Sequence, residues 1–167
     1  TGCPTMDDRH ARIAVITGAA QGLGRETATV LAAAGHRVVL IDLQSPDAVL
    51  AELRAAGHDG LALTGDVADE AFVQHAVAAT AKAFGAADVL INNAGISHIM
   101  PAERLSATQW RRVMDVNLLG PFLLCRDFGR AMLERGSGSI VNVASVQSEL
   151  ARTGIAPYTA TKGAVKM

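Results

Sequence analysis

An open, doubly wound parallel sheet with helices on both faces is the α/β fold class this sequence predicts, and three observations predict it. Short runs of Val, Ile and Leu lack the polar alternation of a strand with one wet face, which marks strands covered on both sides. Longer segments with apolar residues at helical spacing separate those runs. A glycine-rich turn stands between the first run and the first helical pattern. Strands and helices in alternation build consecutive right-handed βαβ units. A chain of 167 residues suits one such domain with its own core, and neither an internal repeat nor a low-complexity linker interrupts it.

Residues 1–11 read as a polar tail with Met6 inside it, and residues 12–167 as the domain. The predicted strands are Arg12–Thr17, Arg37–Asp42, Gly60–Gly65, Ala87–Asn92 and Ser139–Ala144. The first helix carries Gly24, Ala28, Leu31 and Ala32 on one face, with Gly35 as its stop. Ser45 is positioned to cap a second helix with Pro46 as its first residue, and Gly57 closes it. Asp69 caps a third, whose Phe72, Val73, Ala76, Val77, Thr80 and Phe84 form an apolar face. A long pattern starts at the cap Ser106, bends at Gly120-Pro121 and ends near Arg135. A last helix starts near Tyr158.

Composition limits the function classes. Half of the residues are hydrophobic but only 4% are aromatic, so the core must come from Ala, Val, Leu and Ile. Fifteen basic against sixteen acidic residues leave a formal charge of -1, which offers no broad field for nucleic acid or an anionic membrane. No stretch approaches the roughly 18 apolar residues of a membrane span. The N-terminal residues do not suit a secretory signal. Cys3 falls in the tail and Cys125 in an apolar helical pattern, and the five histidines are scattered, so neither a disulfide framework nor a metal site is expected. A reducing cytoplasm is the expected compartment.

The turn T-G-A-A-Q-G-L-G, Thr17 to Gly24, opens straight into a helix. Exposed main-chain N–H groups without a Cβ in the way, aided by the helix dipole, form a phosphate cradle. In a dinucleotide-binding turn Gly18 serves the tight bend, Gly22 the close approach and Gly24 the helix–sheet packing, with Gln21 and Leu23 between them. Asp42 ends the second strand, 24 residues beyond Gly18. A carboxylate there accepts both hydroxyls of an adenosine ribose and repels a 2′-phosphate, which favours NAD over NADP. Ser145 precedes Tyr158 by thirteen residues, and Lys162 follows Tyr158 by one helical turn. A phenol, with an ordinary pKa of about 10, is a poor base at neutral pH. Bringing one into range takes roughly 4 kcal/mol of differential stabilisation, within what cationic neighbours supply.

Taken together, T-G-x-x-x-G-x-G, Asp66-Val67, N-N-A-G (Asn92 to Gly95), Asn117, Ser145 and Y-x-x-x-K resemble the short-chain dehydrogenase/reductase family in order and spacing from Arg12 to Met167. The resemblance implies a Rossmann-like domain and a nicotinamide-dependent alcohol/carbonyl oxidoreductase. Tyr158 would be its general acid/base, Lys162 would bind the nicotinamide ribose, Ser145 would orient the reacting oxygen and Asn117 would hold a proton-relay water. Asp66 and Val67 would contact the adenine, and Asn93, Ala94 and Gly95 would line the cofactor strand. Residues 145–167 look like the same stretch of gluconate 5-dehydrogenases, which puts Gln147, Glu149 and Arg152 near the substrate mouth alongside Ser145. After N-N-A-G, however, those enzymes tend to carry basic residues where this chain reads I-S-H-I-M-P, so a neutral polyol or another secondary alcohol stays open. Family members continue past the start of the catalytic helix, so the resemblance implies an incomplete substrate pocket here. It leaves a non-catalytic dinucleotide-binding module as the alternative. The complete protein is expected to take a small-molecule substrate, with neither nucleic acid nor membrane as partner, and to form a homo-oligomer, dimer or tetramer.

Overall fold

The computed structural model describes residues 11–167, so Cys3 and the tail reading of residues 1–10 lie outside the described residues. Five parallel strands form one sheet in the order β3-β2-β1-β4-β5. They are β1 (Ile13–Thr17), β2 (Arg37–Asp42), β3 (Gly60–Thr64), β4 (Val89–Asn92) and β5 (Ser139–Asn142). The helices are α1 (Gly22–Ala33), α2 (Asp47–Ala55), α3 (Glu70–Phe84), α4 (Ala107–Met114), α5 (Gly120–Arg135) and α6 (Ala156–Lys166). The expected Rossmann-like sheet is therefore the observed one, and strand ends differ from expectation by one or two residues.

Alternate residues of the central strands serve two cores. Ala14, Ile16, Val38 and Leu40 pack with Ala28 and Ala32 of α1 and with Val49, Leu50 and Leu53 of α2. Ile13, Val15, Val39, Ile41 and Leu90 pack with Val73 and Ala76 of α3 and Leu123, Leu124, Phe128 and Met132 of α5. Every residue of β1 is buried, which explains why its sequence shows no polar alternation. Phe128 is the one aromatic among the buried hydrophobic residues described.

Caps read from sequence act where expected at two helices. Asp69 accepts from the N–H groups of Ala71 and Phe72, and Ser106 with Gln109 forms a reciprocal capping box. At α2 the start shifts by one residue: the helix opens at Asp47, whose N–H donates to Ser45 Oγ, and Pro46 stands just outside. The last helix begins at Ala156, two residues before the expected start, because Pro157 needs no N–H partner in a first turn. The bend expected at Gly120-Pro121 falls just before it, as a π-helical turn over Asp115–Leu119 that joins α4 to α5. Pro121 has no N–H to give to the carbonyl of Asn117 four residues back, and the helix widens there.

Connections from β1 run outward through β2 to β3, and the chain then crosses back to place β4 on the other side of β1. The loops after β1 and β4 therefore diverge and leave a crevice at the carboxyl ends of the strands, where open α/β sheets bind ligands.

Candidate active site

The floor of the crevice is stitched from two loops. Thr17 Oγ1 accepts from the N–H groups of Asn93 and Ala94 at 3.1 and 3.0 Å. The Asn93 amide donates in return to the carbonyls of Thr17 and Gly18 at 3.0 and 3.3 Å. Gly18 has φ +67°, the left-handed turn that glycine adopts without strain. A Cβ on Gly24 would lie 2.1 Å from the Gly18 carbonyl oxygen, so α1 reaches the turn only because residue 24 has no side chain. The first turn of α1 has no side-chain cap and no acidic residue, which leaves its N–H groups for an anion.

Gly18, Gln21, Asp42, Asp66, Val67, Asn93, Ala94 and Gly95 line this one crevice. Gly22, Leu23 and Gly24 form its helix end, and the Leu23 side chain is exposed. Asp42 does more than its sequence position suggested: Oδ2 accepts from Ala20 N at 2.9 Å and Oδ1 from Gln44 N at 3.0 Å. Each oxygen keeps lone-pair capacity for a ribose hydroxyl. Asp66 is fixed at both oxygens, by Ala68 N at 3.0 Å and by an ion pair to Arg112 at 2.7 Å. Arg112 itself lines the crevice, and sequence reasoning missed it because nothing in α4 marks which of two adjacent arginines turns inward.

Ser145, Tyr158 and Lys162 belong to a second region, beside Gly95. Lys162 is 5% exposed, and its Nζ donates to the Val143 carbonyl and lies 5.7 Å from the centre of the Tyr158 ring. Burial pushes this ammonium below the ordinary lysine range. A Cβ on Gly95 would come within 3.8 Å of Lys162 Nζ and 3.4 Å of Asn117 Oδ1, so Gly95 is where the crevice meets the lysine. The Asn117 side chain is buried and engaged: Oδ1 accepts from Ile96 N at 2.8 Å, and Nδ2 donates to the Ile96 carbonyl and Thr161 Oγ1. Thr161 Oγ1 in turn donates to the Tyr158 carbonyl at 2.8 Å.

Of the residues expected at a substrate mouth, Ser145 Oγ accepts from Gln147 N at 3.2 Å, and the Gln147 amide oxygen is buried without a partner. Glu149 is ion-paired with Lys166, and Arg152 is exposed. The loop after β4 meets the loop before α6 through Met100 N donating to the Gly154 carbonyl at 2.7 Å. None of the expected substrate residues lines the crevice of the glycine turn. Among the described residues no helix is long and apolar enough to cross a membrane.

A switch-point crevice with a glycine turn and an open helix start is the architecture of Rossmann-like dinucleotide-binding proteins. The family model for short chain dehydrogenase matches residues 12–167, and the chain belongs to that family. It is 44% identical over 155 residues to the gluconate 5-dehydrogenase of Gluconobacter oxydans (strain 621H), covering 92% of this chain and 60% of that protein. It is 41% identical to the D-threitol dehydrogenase of Mycolicibacterium smegmatis, covering 90% of this chain and 59% of that one. A crystal structure of a gluconate 5-dehydrogenase from Burkholderia cenocepacia J2315 in complex with NADP and tartrate superposes with TM-score 0.86 at 41% identity, over 93% of this chain and 62% of that one. The chain thus spans about 60% of the length of the curated relatives it matches.

Proposed function

We propose that the protein carrying this chain is an oxidoreductase that passes a hydride between NAD(H) and a secondary alcohol or its ketone, with polyols and sugar acids such as gluconate as the substrate class. The observation that carries this reading is Lys162, buried beside Gly95 at the inner end of the crevice with its ammonium near the Tyr158 ring. A bound nicotinamide supplies the hydride donor or acceptor. The residues fit such a cofactor. The uncapped N–H groups of α1 and the glycine turn suit a pyrophosphate, and Asp42 suits a ribose diol.

Tyr158 takes the hydroxyl proton in oxidation and returns it in reduction, with the Lys162 ammonium 5.7 Å from the centre of its ring. Ser145 orients the reacting oxygen. With the Asn117 amide nitrogen fully engaged, the main-chain carbonyl facing the missing N–H of Pro121 is the atom of that residue suited to hold a relay water. Asp66 and Val67 serve the adenine end. Relatives named for gluconate and threitol support the substrate class. The relative solved with NADP does not favour NAD, so the NAD preference rests on Asp42.

The test is reduction of NAD and of NADP by gluconate and D-threitol, followed by absorbance. Oxidation of at least one alcohol is expected, faster with NAD. Asp42→Ala should lower the NAD to NADP ratio of kcat/KM by about tenfold, since a like-charge clash with the 2′-phosphate is removed. NADH binding without turnover of any secondary alcohol would instead mark a dinucleotide-binding module. An unchanged cofactor ratio would remove Asp42 as the selector.

A further inference from the structure

Ser148 ends the short 3-10 turn Val146–Ser148, and its hydroxyl lies between the two segments that carry the reacting groups. Oγ donates to the main-chain carbonyl of Lys162 at 2.8 Å and accepts from the N–H of Ser145 at 3.3 Å. One hydrogen and two lone pairs let a hydroxyl make both bonds at once. The same loop is tied to α6 a second time by Lys162 Nζ donating to the Val143 carbonyl. Of the ties that end on Lys162, only the one through its own ammonium would remain without Ser148. Further along the loop, Glu149 pairs with Lys166 of α6 at an exposed position, away from Ser145 and Lys162.

We propose that Ser148 is a positioning residue for proton transfer, setting the distance between the Ser145 and Lys162 main chains and leaving the ammonium free to act on Tyr158 and the ribose. This rests on the reading of Ser145, Tyr158 and Lys162 as the reacting groups. Geometry of this kind matters to rate more than to binding: misplacing a reacting group by about 1 Å costs on the order of 10²-fold.

The test compares Ser148→Ala and Ser148→Thr in the full protein, with gluconate and D-threitol as substrates and NAD as oxidant. Thr80→Ala is the control, since it removes a buried hydroxyl from α3, where Thr80 bonds only the carbonyl of Ala76 on its own helix. Ser148→Ala should lower kcat about tenfold or more, with the NADH Kd within about twofold. Its pH–rate profile should change as well, because Ser148 fixes the main chain of Lys162, whose ammonium lies 5.7 Å from the Tyr158 ring centre. Ser148→Thr should recover most of the rate, and Thr80→Ala should match the unaltered protein throughout. Should Ser148→Ala fail to fold, Ser148→Cys, which keeps the volume with a weak donor, takes its place with the same expectation. A Ser148→Ala protein with unchanged kcat and pH profile, or a Ser148→Thr protein equally impaired, overturns the proposal. Tyr158→Phe in parallel separates the two readings. Turnover by that variant, or oxidation of neither alcohol by the unaltered protein, sinks the assignment of the reacting groups and the Ser148 role with it. An inactive Tyr158→Phe beside an unimpaired Ser148→Ala sinks the positioning role alone.

Discussion

Lys162 is 5% exposed, and its ammonium bonds to the Val143 carbonyl and is held below its ordinary range by burial. An unfolded lysine titrates near 10.4, so between the lowered folded value and about 10.4 the unfolded chain binds more protons. Stability attributable to this residue therefore rises with pH across that window, and below it the full penalty of a buried charge applies. Lys162→Met should remove that penalty, raising stability at pH 7 by about 1 kcal/mol, with the gain shrinking toward pH 10. Urea denaturation of both proteins at the two pH values checks this, and a variant less stable at pH 7 would contradict it. Placement was legible where chemistry singles residues out: Gly18 and Asp42 line the crevice, and Lys162 lies against the Tyr158 ring. Thr17, Arg112, Ser148 and Thr161 were not legible, because each acts through main-chain atoms or a neighbour that composition and spacing do not name. The ties of the Asn117 side-chain amide to Ile96 and Thr161 were hidden for the same reason.

At the scale of elements, the order of strands and helices was readable because burial on both faces imposes continuous apolar runs. Element ends were less so, since long-range bonds decide them. β5 stops at Asn142, two residues before the expected Ala144, where the Val143 carbonyl turns to Lys162 Nζ and leaves the ladder. The unit β1–turn–α1 depends on the approach of Gly24 to Gly18. Gly24→Ala forces a Cβ against a carbonyl oxygen 2.1 Å away, and backbone cannot yield as a side chain can. We expect it to weaken NADH binding at least tenfold, roughly, and to cost about 2 kcal/mol of stability. Fluorescence titration and thermal melting measure both, and an alanine variant with unaltered NADH affinity would show that the turn tolerates displacement.

Across the whole molecule, one topological event creates the site: the crossing from β3 to β4 that puts the N-N-A-G loop beside the glycine turn and α6 beyond it. Alternation of strands and helices implied a switch point, but no local pattern fixes which strand pair forms it. β5 is the sheet's edge among the described residues, with Ile140 and Val141 40% and 49% exposed. In the proposed reaction, hydride and proton leave one alcohol together at this crevice, the proton by way of Tyr158. The most direct measurement is transfer of deuterium from NADH labelled at nicotinamide C4 to ketones headed by 5-keto-D-gluconate, read by mass spectrometry. Deuterium is expected on the new carbinol carbon with the unaltered protein, and transfer at least about 10²-fold slower with Tyr158→Phe at undiminished NADH affinity. No label in any ketone, or equal transfer by the phenylalanine variant, would contradict it.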